Sequence, residues 1–185
     1  MKKRVKNKVY IYFIIIVLIL IIAGVLIYNY YKKGLLLAPE TNVILNPDFE
    51  SWDSITSPTL WQKGSGVAVS QSGDKFNGVY SVQLTRTSGY GYTLGQDILV
   101  NPGEKYYFEI YMKKLTGEVA WARVVNPLAG GSYNAWQWQS FVSQYNNGVW
   151  QKFSQTITIP AGITKVRFEL GGSSMNALYD NAKLA

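Results

Sequence analysis

Three hydrophobic patterns follow one another along the chain. Residues 9–31, VYIYFIIIVLILIIAGVLIYNYY, are 23 consecutive positions without a charge. At a rise of about 1.5 Å per residue, a helix needs roughly 20 apolar residues to cross the core of a bilayer. Tyr10 and Tyr12 stand near one end, and Tyr28, Tyr30 and Tyr31 near the other, where rings meet headgroups on both sides. The next pattern, KKGLLLAPET over residues 32–41, reads as a short tether. Its ten residues reach at most about 35 Å when extended. From Asn42 onward apolar and polar residues alternate with period two, in runs of about 6–10 residues divided by turn signals. Nothing after Tyr31 has a helical period.

In YYFEIYMKK, Tyr106, Phe108, Ile110 and Met112 share one face, and Tyr107, Glu109, Tyr111 and Lys113 the other. In KVRFEL, Val166, Phe168 and Leu170 alternate with Arg167 and Glu169. Phe153, Thr156, Ile157 and Ile159 mark a further strand in FSQTITIP. Turn signals stand at Asn77-Gly78, Ser88-Gly89, Pro102-Gly103, Gly130-Gly131, Asn147-Gly148, Pro160-Ala161-Gly162 and Gly171-Gly172. Many short strands at this spacing predict an all-β body, a β-sandwich of two antiparallel sheets over residues 42–185, preceded by one N-terminal transmembrane helix.

Charge orients that arrangement. Lys2, Lys3, Arg4, Lys6 and Lys8 precede the apolar run, and only Lys32 and Lys33 follow it. Residues 1–8 are therefore expected in the cytoplasm and the C-terminal domain outside the cell. A cleaved signal would need a shorter apolar core and a small-residue site behind it, where this chain has Tyr, Asn and Lys. The formal net charge of +7 comes wholly from this region, since the 11 basic residues after Lys33 equal all 11 acidic ones. A neutral domain without a Lys/Arg cluster is not built for nucleic acid. The chain has no cysteine and no histidine. It lacks disulfides, Ser-His-Asp and Cys-His machinery, and His-ligated zinc.

The segments NVILNPDFESW, TLW, SGDKFNGVYSVQLT, GQDILVNPGEKYYFEIYMKK, VWQKFSQTITIPAGITKVRFEL and LYDNAKL, in that order, resemble non-catalytic carbohydrate-binding modules. These are the jelly-roll, galactose-binding-like modules found beside xylanases and glucanases, and the likeness runs from Asn42 to Leu184. It implies a structural calcium ion where the first strand meets the last, at Asp48 (through its carbonyl), Glu50, Asn77, Tyr80 and Asp180. Calcium wants six to eight hard oxygens. The other reading of Glu50 and Asp180 is that they accept backbone hydrogen bonds at strand ends.

The resemblance also implies a polysaccharide or surface glycan lying along one sheet, with rings stacked on pyranoses and polar groups on hydroxyls. In EVAWARVV, Ala120, Ala122 and Val124 suit a core, which turns Trp121 and Arg123 outward. Tyr107 and Tyr111 are outward on their own strand, and Trp136 and Trp138 share one face of NAWQWQSF. These six are the expected ligand-binding residues. Trp61 and Trp150 are expected in the core, and Trp52 packed beside it. Glycoside hydrolysis needs a pair of carboxylates, for which Glu109 and Glu169 are the candidates, but no E-x-D-x-x-E run is present. The chain reads as an anchored glycan-binding domain without catalysis of its own. The alternative is a structural jelly-roll protein of a cell surface, filament or virion, since such modules usually accompany an enzyme.

Overall fold

In a computed structural model, residues 17, 20–25, 41–126, 139–144 and 148–185 are described. Contacts divide the chain into two units, Met1–Thr41 and Asn42–Ala185. Within the first, residues 17 and 20–25 are α-helical. Leu20, Ile21, Ile22 and Val25 are exposed there. The rest of the predicted span lies outside the described residues, and among those described no helix is long and apolar enough to cross a membrane.

The second unit is all-β. Its strands are β1 (Trp52–Ser54), β2 (Ser57–Pro58), β3 (Gln62–Lys63), β4 (Ala68–Ser72), β5 (Ser81–Thr85), β6 (Tyr90–Leu99), β7 (Lys105–Val125), β8 (Gln139–Gln144), β9 (Gln151–Thr158) and β10 (Lys165–Leu184). β1 and β2 form a small ribbon, and the other eight join one continuous antiparallel system. Two strands dominate it: β7 has 21 residues and β10 has 20. They pair along nearly their whole length, from Arg167 opposite Val125 to Leu184 opposite Phe108.

This long pair bends in the middle and so enters both layers. The C-terminal half of β7 and the N-terminal half of β10 lie with β8, β6 and β3 in a first layer. The other halves lie with β9, β5 and β4 in a second. At the bend Gly117 takes φ +93° and Ser174 φ 39°. A Cβ on Gly117 would run into the Ser174 carbonyl oxygen. Glycine there answers both a left-handed backbone and a close approach of chains.

The core fills the space between the layers. Leu94, Ile98, Ala120, Ala122, Val124, Val166, Phe168 and Leu170 face Val69, Val82, Leu84, Phe108, Ile110, Met112, Ala177 and Tyr179. Trp61 joins them beside Phe49 at a ring separation of 4.9 Å, and Trp52 packs at the edge. Tyr179 spans the sandwich, and its hydroxyl donates to the Gly171 carbonyl at 2.6 Å. Burial pushes that phenol far above its ordinary pKa, so it stays a neutral donor.

Sequence reading divided β7 and β10 into shorter pieces, and here it is corrected. YYFEIYMKK and EVAWARVV are one strand. Gly171-Gly172, expected as a turn, lies inside β10. A Cβ at Gly171 would fall 2.5 Å from the Trp121 ring, and one at Gly172 would collide with Met175. These glycines make room for side chains. Trp150, expected in the core, is half-buried and donates through Nε1 to Asp74 Oδ1 at 3.3 Å on an outer surface.

Gly117→Ala is expected to lower stability by about 2 kcal/mol or more, through backbone strain and clash together. Tyr179→Phe should cost about 1 kcal/mol, one buried hydrogen bond. Urea unfolding measures both, and a neutral Gly117→Ala would contradict the bend as drawn.

Candidate functional site

The bend decides which side chains can share a site. Alternation turns odd-numbered β7 residues away from the core throughout, but the strand changes layer at Gly117. Tyr107, Glu109 and Tyr111 therefore lie on the outer face of the second layer. Trp121 and Arg123 lie on the outer face of the first, on the opposite side of the sandwich. The six expected ligand residues do not form one site. Trp136 and Trp138 fall in the connection from β7 to β8, outside the described residues.

On the first layer's outer face, cross-strand register builds two polar rows. Arg123 stands opposite Glu169, and Glu169 opposite Gly95. Arg167 stands between Val125 and Asp97. The Arg123 guanidinium holds Glu169 Oε2 at 2.7 Å through both Nε and an Nη, with both side chains almost wholly buried. Burial pushes the Glu169 carboxyl up and the Arg123 guanidinium down, each partly offset by the other's charge. Removing one partner of such a pair costs about 3–5 kcal/mol, because the other charge is left stranded. Arg123 also lies over the Trp121 ring at 4.3 Å from its centroid, while that ring rests across Gly171. Trp121, expected to be an exposed platform, is fully buried. It faces away from the core as its parity demands, but a guanidinium covers it and glycine backbone supports it.

The accessible part of this face lies toward β6 and β3. Arg167 Nε donates to Asp97 Oδ1 at 2.5 Å, Lys165 approaches Asp97 Oδ2 at 3.4 Å, and an Arg167 Nη reaches Gln62 Oε1 at 3.4 Å. The Arg167 hydrogen bond is the main reason the Asp97 carboxyl is held below its usual range. Gly95 beside them makes room for the Arg167 stem, since a Cβ there would meet the Phe168 carbonyl oxygen at 3.2 Å and the Arg167 side chain at 3.4 Å. The result is a strip of polar and charged donors and acceptors, pre-oriented by their own pairing. The alternation in KVRFEL places Arg167 on the outer face but gives no sign of Asp97 and Gln62 beside it. Only the pairing of β6 with β10 and β3 brings them together.

Glu109 and Glu169 cannot flank one bond. Glu169 pairs with Arg123 on the first layer, whereas Glu109 pairs with Lys152 at 2.7 Å on the outer face of the second.

The calcium residues meet only in part. Asp180 Oδ2 accepts the backbone N–H groups of Phe76 and Asn77 at 2.9 and 3.0 Å, and Oδ1 accepts that of Asn181 at 2.8 Å. Glu50 Oε1 accepts the N–H groups of Val79 and Tyr80 at 2.6 and 3.1 Å. Asn77 and Tyr80 thus enter as donors, while Asp48 is exposed beside Pro47, Asn181 and Lys183. Burial pushes the Asp180 carboxyl up, against the pull of these donors. Among the described residues, no three acidic, His or Cys side chains group as metal ligands. N–H groups converging on a carboxylate are the inverse of the oxygen cage a calcium ion needs, so this arrangement does not fit one. It fits the other reading: two carboxylates clamp the 76–80 loop to the ends of the sandwich.

A family model for a carbohydrate binding domain matches residues 41–175. The chain belongs to that carbohydrate binding domain family. Among solved structures, a family 16 carbohydrate binding module is 18% identical and superimposes with a TM-score of 0.58, over 78% of this chain and 99% of that one. The CBM22-2 xylan-binding domain of Paenibacillus barcinonensis Xyn10C is 16% identical, with a TM-score of 0.53 over 75% of this chain and 96% of that one. The enzymatically active domain of tailspike protein 4 from bacteriophage CBA120 is 15% identical, with a TM-score of 0.57 over 80% of this chain but only 22% of the tailspike's. At such identities the likeness establishes the fold. No curated protein matches the chain. The module's bent two-layer architecture is thus the one its family shares, a jelly-roll sandwich of curled antiparallel sheets.

Asp180→Ala strands three backbone donors and is expected to cost about 2–3 kcal/mol. A chelator should leave the melting temperature of the unmutated protein unchanged. A drop on chelation, restored by calcium, would overturn the clamp reading.

Proposed function

We propose that this module grips a glycan on the outer face of its first layer, has no catalysis of its own, and is held at a membrane by residues 9–31 with its binding domain outside the cell. Membership of the carbohydrate binding domain family carries the glycan reading. The pre-oriented strip of Gln62, Asp97 and Arg167 supplies what hydroxyls need, fixed acceptors and fixed donors. Trp136 and Trp138, on the segment between β7 and β8, supply the stacking rings. Trp121, Arg123 and Glu169 form the rigid seat below. Fixed ion pairs lower the ordering cost that a shallow site pays on binding.

The separation of Glu109 from Glu169 supports a binding role, because the candidate acid pair of a hydrolase is split between two faces. The apolar run, its unequal basic flanks and the exposed aliphatic side chains of residues 20–25 support anchoring. A tether of ten residues keeps the domain near its membrane, so the ligand is a wall polymer or a neighbouring surface glycan.

The test is a pull-down of the full chain on insoluble xylan, cellulose and cell-wall polymer, in a detergent without sugar headgroups. Arg167→Ala combined with Asp97→Ala is expected to weaken retention about tenfold, the loss of one or two charge-assisted hydrogen bonds. Trp136→Ala with Trp138→Ala should do the same. Unchanged retention in both pairs would refute the site. Large regular oligomers without polysaccharide affinity would favour the assembly role instead. Release of the chain from membranes by alkaline carbonate would contradict the anchor.

A further inference from the structure

We propose a second carbohydrate site on the outer face of the second layer, built on Phe76, Tyr111 and Trp150 and taking one neutral pyranose unit. It lies on the opposite side of the sandwich from the first and shares no residue with it. The inference rests on the glycan reading above for its class of ligand.

Phe76 is the starting observation. It is 44% exposed, yet its backbone is tied down. Its N–H donates to the buried Asp180 carboxylate, and Glu50 fixes the same loop at Val79 and Tyr80. Core packing does not explain a phenyl ring presented this way, since Phe76 lies outside the core cluster. Its ring stacks on Tyr111, with centroids 3.7 Å apart and planes 17° apart, and meets Trp150 edge-on at 6.3 Å. Tyr111 covers one face of the phenyl ring, and nearly half of the residue stays exposed. The three rings make a fixed shelf, and a fixed shelf loses little entropy when a ligand settles on it.

A polar edge completes the shelf. Asp74 is 46% exposed and ion-pairs with Lys113 at 2.8 Å. Its other carboxylate oxygen accepts from the Trp150 indole. Both oxygens keep lone pairs for hydroxyl donors, and the Lys113 ammonium keeps N–H groups for hydroxyl acceptors. Aromatic face plus adjacent acceptor and donor is the complement of a pyranose, whose C–H groups gather on one side and whose hydroxyls ring its edge. Because Asp74 and Lys113 neutralise each other, the shelf suits an uncharged sugar better than a uronate or a sulfate. Two sites on opposite faces would let one anchored module bridge two glycan chains, and gain avidity wherever both engage the same polymer.

Isothermal titration of the full chain with xylohexaose and cellohexaose, in a detergent without sugar headgroups, decides the matter. Two sites per chain are expected for at least one probe. Phe76→Ala should remove or weaken one of them about tenfold and leave the other intact. Asp74→Ala should act on the same site while keeping the rings, which guards against a loop merely disordered by losing Phe76. Arg167→Ala should act on the other site only. One site that survives Phe76→Ala and Asp74→Ala overturns this proposal and keeps the first reading. One site lost with Phe76→Ala but not with Arg167→Ala keeps this proposal and sinks the first-layer site. Failure of both probes to bind overturns this proposal and counts against the first.

Discussion

Two strands of about twenty residues, paired side by side and bent together, are the constraint on which the rest of this molecule depends. A sandwich normally gains its second layer through connections that leave the first. Here β7 and β10 cross between layers without ending, and their mutual hydrogen bonds continue through the bend. The bend requires a left-handed residue where the chains crowd, which Gly117 supplies opposite Ser174. Every outer-face position takes its side of the molecule from that point. The buried Arg123–Glu169 pair forms on one face because both residues lie beyond the bend in the same layer. Glu109, fourteen positions earlier in register with the same parity, finds Lys152 on the other.

Much of this body could be read before folding it. Gly78, Gly89, Gly103, Gly148 and Gly162 all stand at predicted turns, and all adopt positive φ. Phe108, Ile110 and Met112 alternate into the core as their spacing requires, and so do Val166, Phe168 and Leu170. What period two reports, however, is whether a side chain points into or out of its own layer. It is silent on which layer a stretch of strand belongs to. Tyr107 and Trp121 were therefore grouped as outward residues although they lie on opposite sides. It is equally silent on what covers an outward residue, which is why Trp121 reads as exposed and is buried under Arg123. Gly171-Gly172 read as a turn because glycine pairs usually break strands, whereas here they clear space for a tryptophan and a methionine. The polar strip was invisible for a different reason: Gln62, Asp97 and Arg167 are brought together only by pairing between strands distant in sequence.

Rigidity is the common theme of the faces that result. Ion pairs orient the donors of the first layer before any ligand arrives. On the second layer, two carboxylates spend their lone pairs on backbone N–H groups of one loop, and so hold an aromatic ring in the open. Neither device adds chemistry. Both reduce the ordering that a weak, hydroxyl-rich ligand would otherwise have to impose. The domain carries no net charge, and on its first layer Arg123–Glu169 and Arg167–Asp97 are held in pairs, while the excess basic residues flank the apolar N-terminal run.

Amide chemical shifts recorded while xylohexaose is titrated into the isotopically labelled chain show whether a glycan lies on the first layer's outer face. Gly95, Asp97, Arg167 and Glu169 are expected to shift together and saturate at one concentration, as neighbours across β6 and β10 must when a glycan lies along their outer face. Saturable shifts that leave these four amides unmoved would contradict that placement.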